Sequence, residues 1–219
     1  MHEGASRHRL PQTAALIFTP PGNTFNHGRA NPRTLARQET ALASPLPLPF
    51  VNEGKNQMST PREAFIEAMR QVAATVTVVT TDGPAGQAGA TVSAFTSLSA
   101  DPPSVLVCLK ADSRIAVAVR DNGVFCVNIL PEDADELAKA FAGAFDASRP
   151  NRFEGLDFSA TEFGPILPRA TAFTCSLTHR HIHGSHAICI GDVTGISNAG
   201  EKPLTYMSGT FHIVRPKIG

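Results

Sequence analysis

The residues of this chain best suited to chemistry lie between positions 89 and 114, in the run GATVSAFTSLSADPPSVLVCLKADSR. Read with the two-residue repeat of a strand, Thr91, Ser93, Phe95, Ser97 and Ser99 share one face, and Val92, Ala94, Thr96 and Leu98 share the other. Small hydroxyl side chains let a flat, polar-edged ligand approach the main chain and be held by Oγ and N–H donors. The same spacing also describes the wet face of an ordinary hairpin, so the stripe is a ligand edge or a solvated surface. Asp101-Pro102-Pro103 turns the chain, because proline fixes φ and drives the preceding residue into extended geometry. The apolar run SVLVCLK then returns as a strand.

Two further groups carry ligand-type side chains. Ser113-Arg114 opens a predicted helix, where N-terminal amides, a hydroxyl and a guanidinium would suit a phosphate; the same pair is equally a routine N-cap beside a solvated arginine. Cys175, His179, His181, His183 and His186 crowd one stretch, with Cys189 beyond. On a strand the first three histidines point to one face, which makes a transition-metal site one reading. The spacing is not that of a standard zinc site, exposed histidines on a strand account for it as well, and no metal is assigned. No G-x-S-x-G, P-loop or G-x-G-x-x-G follows a strand, which disfavours a serine hydrolase, a P-loop enzyme and a Rossmann dehydrogenase.

The elements that must position these groups are legible in part. With 219 residues, net charge +0 and 42% hydrophobic residues, the chain can bury a sizeable core as one domain. Balanced charge leaves no electrostatic footprint for nucleic acid or anionic lipid, and no apolar run approaches the roughly 20 residues that span a bilayer. Cys108, Cys126, Cys175 and Cys189 lie in apolar runs without C-x-x-C spacing, as expected of buried free thiols in a cytoplasmic protein.

Residues 1–57 are rich in Pro, Asn and Arg and lack either period, so they read as a disordered or mis-called extension before a start at Met58. An Arg-rich, acid-poor organellar leader is the other reading. The folded domain is residues 58–219. Thr60-Pro61-Arg62-Glu63 is a capping box that predicts a helix over 61–73, with Phe65, Met69 and Val72 on one face. Strands are expected at 74–81, 124–130, 171–183, 186–197 and 209–214, and helices from Ser113 to about 120 and over 132–143. Many short strands and few helices predict a mostly β barrel or sandwich.

The stripe, the S-x-x-PP turn and the apolar strand after it resemble the flavin-binding signature of the flavin reductase family. Phe125-Cys126-Val127-Asn128-Ile129-Leu130, Arg152-Phe153, Gly184-Ser185-His186, Ile190-Gly191-Asp192-Val193 and Pro203-Leu204-Thr205-Tyr206 resemble further elements of that family in the same order, over about residues 64–214. The resemblance implies a Greek-key split β-barrel of the FMN-binding type, a homodimer, and NAD(P)H-dependent reduction of FMN or FAD for a partner monooxygenase. It implies that Ser93, Ala94, Phe95, Thr96, Ser97, Ser99 and Ala100 cradle the flavin, that Ser113 and Arg114 take its phosphate, and that Arg152 also contacts the cofactor. By the same resemblance His186 is the catalytic residue beside the nicotinamide, and Ser208, Gly209 and Thr210 meet the nicotinamide nucleotide. The chain departs from the family pattern twice: Ser185 replaces an Asp, and Ser208 stands where Arg is usual. Both departures favour the alternative of a flavin carrier or sensor without turnover on the same barrel.

Overall fold

The computed structural model describes residues 60–218; the extension at 1–57 and the start at Met58 lie outside them. The chain runs α1 (Pro61–Met69), β1 (Ala74–Thr75), β2 (Thr77–Thr81), β3 (Ala88–Val92), β4 (Phe95–Ala100), β5 (Pro103–Lys110), α2 (Arg114–Asn122), β6 (Val124–Ile129), α3 (Asp135–Phe141), β7 (Thr171–His183), β8 (His186–Ser197), β9 (Leu204–Met207) and β10 (Thr210–Ile213). Seven strands form one antiparallel sheet in the order β3-β2-β6-β7-β8-β5-β4, and β1-β9-β10 form a second. Its edge strands β3 and β4 are consecutive in the chain, parted only by Ser93 and Ala94, and Cys108 N donates to Ala94 O at 3.0 Å. One bent strand therefore supplies both edges, and the sheet must curl until they meet. The order of β6, β7 and β8 with β5 beside β8 is that of a Greek key.

Two cores follow from this closure. Inside the barrel, Val79, Val107, Leu109, Phe125, Val127 and Cys189 pack with Ile115, Ala116 and Val119 of α2. Outside it, Val76, Val78, Leu130 and Leu204 pack with Phe141 and Phe153. Because cores lie on both of its faces, β2 is buried at every residue and reads TVVTT rather than alternating. Buried Asn128 joins the layers: its Nδ2 donates to Val78 O and Thr80 Oγ1, both at 3.1 Å, and its Oδ1 accepts from Leu167 N at 2.9 Å.

The local signals set several boundaries. Thr60 caps α1 through a complete capping box, Ser113 caps α2, and Gly123 ends α2 in the left-handed region at φ 70°. Strands β7 and β8 take the expected bounds. Four expectations are corrected. The first helix ends at Met69 and buries no residue, leaving Phe65 62%, Met69 49% and Val72 51% exposed. The strand expected over 74–81 breaks at Val76, whose N–H goes to Leu204 O and whose carbonyl accepts from Leu130 N. Helix α3 starts at Asp135, after a turn in which Ala134 N donates to Pro131 O at 3.0 Å. Strand β9 forms over Leu204–Met207, a stretch for which no element was expected.

Asn128→Ala leaves Leu167 N–H buried without its acceptor. It should cost about 1–3 kcal/mol in urea unfolding, the cost of an unsatisfied buried group. An unchanged midpoint would show that this network does not tie the 165–167 segment to the barrel.

Candidate functional site

The hydroxyl run does not keep a single face. The bend at Ser93-Ala94 and a register shift between Ser97 and Ser99 interrupt its alternation, which corrects the two-face reading. The result is a strand whose Ser93, Ala94, Thr96, Ser97, Ser99 and Ala100 are all exposed, while Phe95 is half-buried against Phe173 with ring centroids 6.0 Å apart. Ser99 is engaged in the turn: its Oγ donates to Asp101 O and accepts from Asp101 N.

A cavity of about 260 Å³ lies where the outer edge of β3 faces the start of α2. Gln87, Gly89 and Ala90 form one wall, Ser113 and Arg114 the second, and Asp146, Arg152 and Phe153 the third. Ser113 Oγ is used for capping, accepting from Ala116 N and donating to Lys110 O. Arg114 spends one N–H on Gln87 O at 3.1 Å and is otherwise exposed beside the first-turn amides of the nine-residue helix. Arg152 has four of its five N–H groups engaged: Nε and Nη2 donate to the two oxygens of Asp146 at 2.8 and 2.6 Å, and Nη1 donates to Gly89 O at 3.1 Å and Phe141 O at 2.7 Å. The same bonding holds the Asp146 carboxyl below the usual carboxylate range and raises the Arg152 guanidinium. Gly89 is required here, since a Cβ would stand 2.6 Å from the Phe141 ring and 2.9 Å from that of Phe153.

A second cavity, about 380 Å³, continues along β3. Thr91, Val92 and Ser93 line it on one side and Tyr206, Gly209 and Phe211 on the other, with Tyr206 and Phe211 packed edge to face at 5.5 Å. The expected nucleotide residues thus divide. Gly209 reaches this cavity, while Ser208 (φ 52°) and Gly209 (φ 85°) make the two-residue turn between β9 and β10. Ser208 N donates to Arg70 O at 2.8 Å, and Thr210 Oγ1 donates to Met207 O at 3.3 Å.

His186 lines neither cavity. It sits exposed at the β7–β8 turn, in register with Lys110 and His183, and Ala111 N donates to Ser185 O next to the start of α2. Ser185 Oγ, in the position where the resemblance leads one to expect an Asp, lies 3.0 Å from His186 Nδ1. His179, His181 and His183 are exposed, and among the described residues no three His, Cys, Asp or Glu side chains converge to hold a metal ion. The sequence reading missed Gln87 and Asp146, for which it held no signal beyond the Asp146-x5-Arg152 spacing; Tyr206 and Phe211 belong to the stretch that the resemblance had set at the nicotinamide nucleotide.

The four thiols are free; Cys126, Cys175 and Cys189 are buried and Cys108 is half-buried. Burial pushes the Cys126 thiol up to about 11 and Cys175 to about 12, and raises Cys189. Among the described residues no helix is long and apolar enough to cross a membrane.

Comparison with known proteins shows what the chain is similar to. Residues 69–215 match the flavin reductase like domain family. An FMN reductase (NADH) RutF of Ancylobacter novellus is 37% identical, covering 79% of this chain and 97% of its own. A second FMN reductase (NADH), RutF 2 of Methylorubrum extorquens, is 39% identical over 70% of this chain and 90% of its own. Among solved structures, a homologue of nitrilotriacetate monooxygenase component B from Mycobacterium thermoresistibile superposes with a TM-score of 0.66 at 29% identity, over 72% of this chain and 89% of that one.

The raised thiols have a consequence in alkali. Their folded values exceed the unfolded value near 8.5, so the stability they contribute is complete below that pH and is lost as pH rises toward about 11 for Cys126 and about 12 for Cys175. Urea stability should fall from about pH 8.5 upward, and at about pH 8 iodoacetamide should modify Cys126 and Cys175 only after unfolding. Rapid native labelling of either would show the burial to be wrong.

Proposed function

The chain belongs to the flavin reductase-like family, and from that premise we propose that it is an NADH-dependent FMN reductase that supplies reduced flavin to a partner oxygenase in the cytoplasm. The observation that carries the reading is the cavity at the start of α2, where an arginine with uncommitted N–H groups and helix N-terminal amides face the outer edge of β3. The relatives named FMN reductase (NADH) support FMN and NADH over FAD and NADPH. The solved neighbour that is a homologue of a monooxygenase component supports an oxygenase as the consumer.

The residues present fit a flavin. We assign its phosphate to Arg114 and the amides following Ser113, and its ring system to the exposed run from Ser93 to Ser97 with Ser99 and Ala100. The flavin supplies the chemistry, accepting a hydride from the nicotinamide ring. The protein's task is to stack the two rings and exclude water, which requires no nucleophile or triad. His186, beside Ser185, borders the nicotinamide side, and the Ser208-Gly209-Thr210 turn meets the nucleotide. A neutral serine at 208 cannot grip a phosphate in the bidentate way an arginine does, which fits a donor without the additional phosphate of NADPH.

We also infer that the working form is a homodimer. The apolar face of α1 and Leu98 on the edge strand β4 stand exposed, and a second copy would cover them. Light scattering of the full chain should read about twice 23.2 kDa; a monomer mass at micromolar concentration would remove this inference.

Two substitutions test the assignment by anaerobic stopped-flow with FMN or FAD and NADH or NADPH. Arg114→Ala should weaken FMN binding by about 1.5–3 kcal/mol, the worth of a charge-assisted contact, while apoprotein melting stays unchanged. His186→Ala should slow hydride transfer or raise KM for NADH with FMN binding preserved. Unaltered FMN affinity in the first, or unaltered reduction at every NADH concentration in the second, would remove that residue from its role.

A further inference from the structure

Arg114 and Arg152 face the same cavity, yet the structure gives them different work. A guanidinium carries five N–H donors in one plane. Arg152 directs four contacts: two to Asp146, one to Gly89 O and one to Phe141 O. One N–H remains, too few for the paired, parallel bonds by which arginine grips a phosphate. Arg114 spends one donor, on Gln87 O.

The carbonyls that the two arginines hold, Gln87 O and Gly89 O, lie on the side of β3 turned away from β2. The N–H and C=O of one strand residue point to the same side, so Gly89 N–H also faces the cavity. Arg152 thereby joins three segments that share no strand pairing: the 143–153 loop through Asp146, the end of α3 through Phe141 O, and the free edge of β3 through Gly89 O. Its charge also suits the last carbonyls of α3. The fit is close on both sides. A Cβ at Gly143 would stand 2.9 Å from Arg152 Nη2 and 3.0 Å from Asp146 Oδ2, at a backbone φ of 94° that side chains rarely adopt.

We propose that Asp146 and Arg152 form a positioning clamp that holds the free edge of β3 against the 143–153 loop, the two walls of the cavity across from Arg114, and so sets flavin affinity without touching the flavin phosphate. This rests on the flavin-binding reading above. It makes Asp146 and Arg152 positioning residues, and it replaces the cofactor contact that family resemblance implies for Arg152.

Riboflavin, which lacks the phosphate, separates the two roles. Dissociation constants for FMN and riboflavin are measured by fluorescence quenching on the full chain, with the parent, Asp146→Asn, Arg152→Ala and Arg114→Ala, alongside apoprotein melting. Loss of the clamp should raise both constants by the same factor, about tenfold, as expected for a lost charged hydrogen bond. KM for FMN should rise with kcat at saturating FMN nearly unchanged. Arg114→Ala should weaken FMN alone. Asp146 is half exposed, so Asp146→Asn carries the test should Arg152→Ala fail to fold.

Three results would overturn the clamp. Arg152→Ala weakening FMN but not riboflavin, with Asp146→Asn neutral or tighter because it frees the guanidinium, would make Arg152 a phosphate ligand. Unchanged constants for both ligands in both variants would leave the clamp without influence on the site. A lowered melting temperature with unchanged constants would make it structural only. A parent chain that binds neither FMN nor riboflavin would instead remove the flavin reading itself.

Discussion

One strand has to serve both edges of the same sheet, and its bend at Ser93 and Ala94 is the constraint on which the rest of the structure depends. Before the bend, β3 hydrogen-bonds to β2; after it, β4 hydrogen-bonds to β5. A flat sheet would hold these edges six strand spacings apart, so their covalent continuity forces the barrel closed. The interior so enclosed is filled by valines, Leu109, Phe125 and the inner side of α2, a packed core rather than a channel.

Closure through a bent strand leaves β3 with one unpaired edge. Unpaired carbonyls and N–H groups on a sheet edge need partners, and here two arginine side chains supply them at Gln87 and Gly89 in place of another strand. The local field of the cavity follows: the carboxylate of Asp146 neutralises Arg152, while Arg114, beside the amides of α2, forms no salt bridge among the described residues. A cavity with one neutralised and one available cation favours a single anionic group at one end, and the exposed hydroxyl run beyond the bend favours a flat polar ligand. The aromatic pair Phe141 and Phe153, at 5.0 Å, closes the floor beneath Gly89 and leaves room only for a glycine there.

The second sheet is joined to the first at Val76. Its N–H bonds one sheet's strand and its C=O the chain leaving the other, which places β9 and β10 against the mouth of the second cavity. The turn at Ser208-Gly209 is tied to Arg70 at the end of α1, so the helix whose apolar face stands exposed also anchors a wall of the site. Covering that face and positioning that wall are therefore linked.

Sequence by itself determined the features that rest on neighbouring residues. The capping box at Thr60, the caps at Ser113 and Gly123, and the bounds of β7 and β8 are set by local geometry and periodicity, and the run of short strands implied a barrel or sandwich. The order of flavin reductase-like motifs pointed to the family that residues 69–215 match. Only the tertiary structure decided what depends on distant groups. Strict alternation through Ser93–Ser99 failed because closing the barrel required a bend there, and no local signal encodes a closure whose partner strand lies across the sheet. Arg152 is legible as a cation, but only folding shows that Asp146, Phe141 and Gly89 accept four of its five N–H groups. Ser185 reads as a lost carboxylate until its hydroxyl is found beside His186. In each case the residue type was legible and its role was not, because a hydrogen-bonding side chain takes its function from the partners that folding brings within about 3 Å.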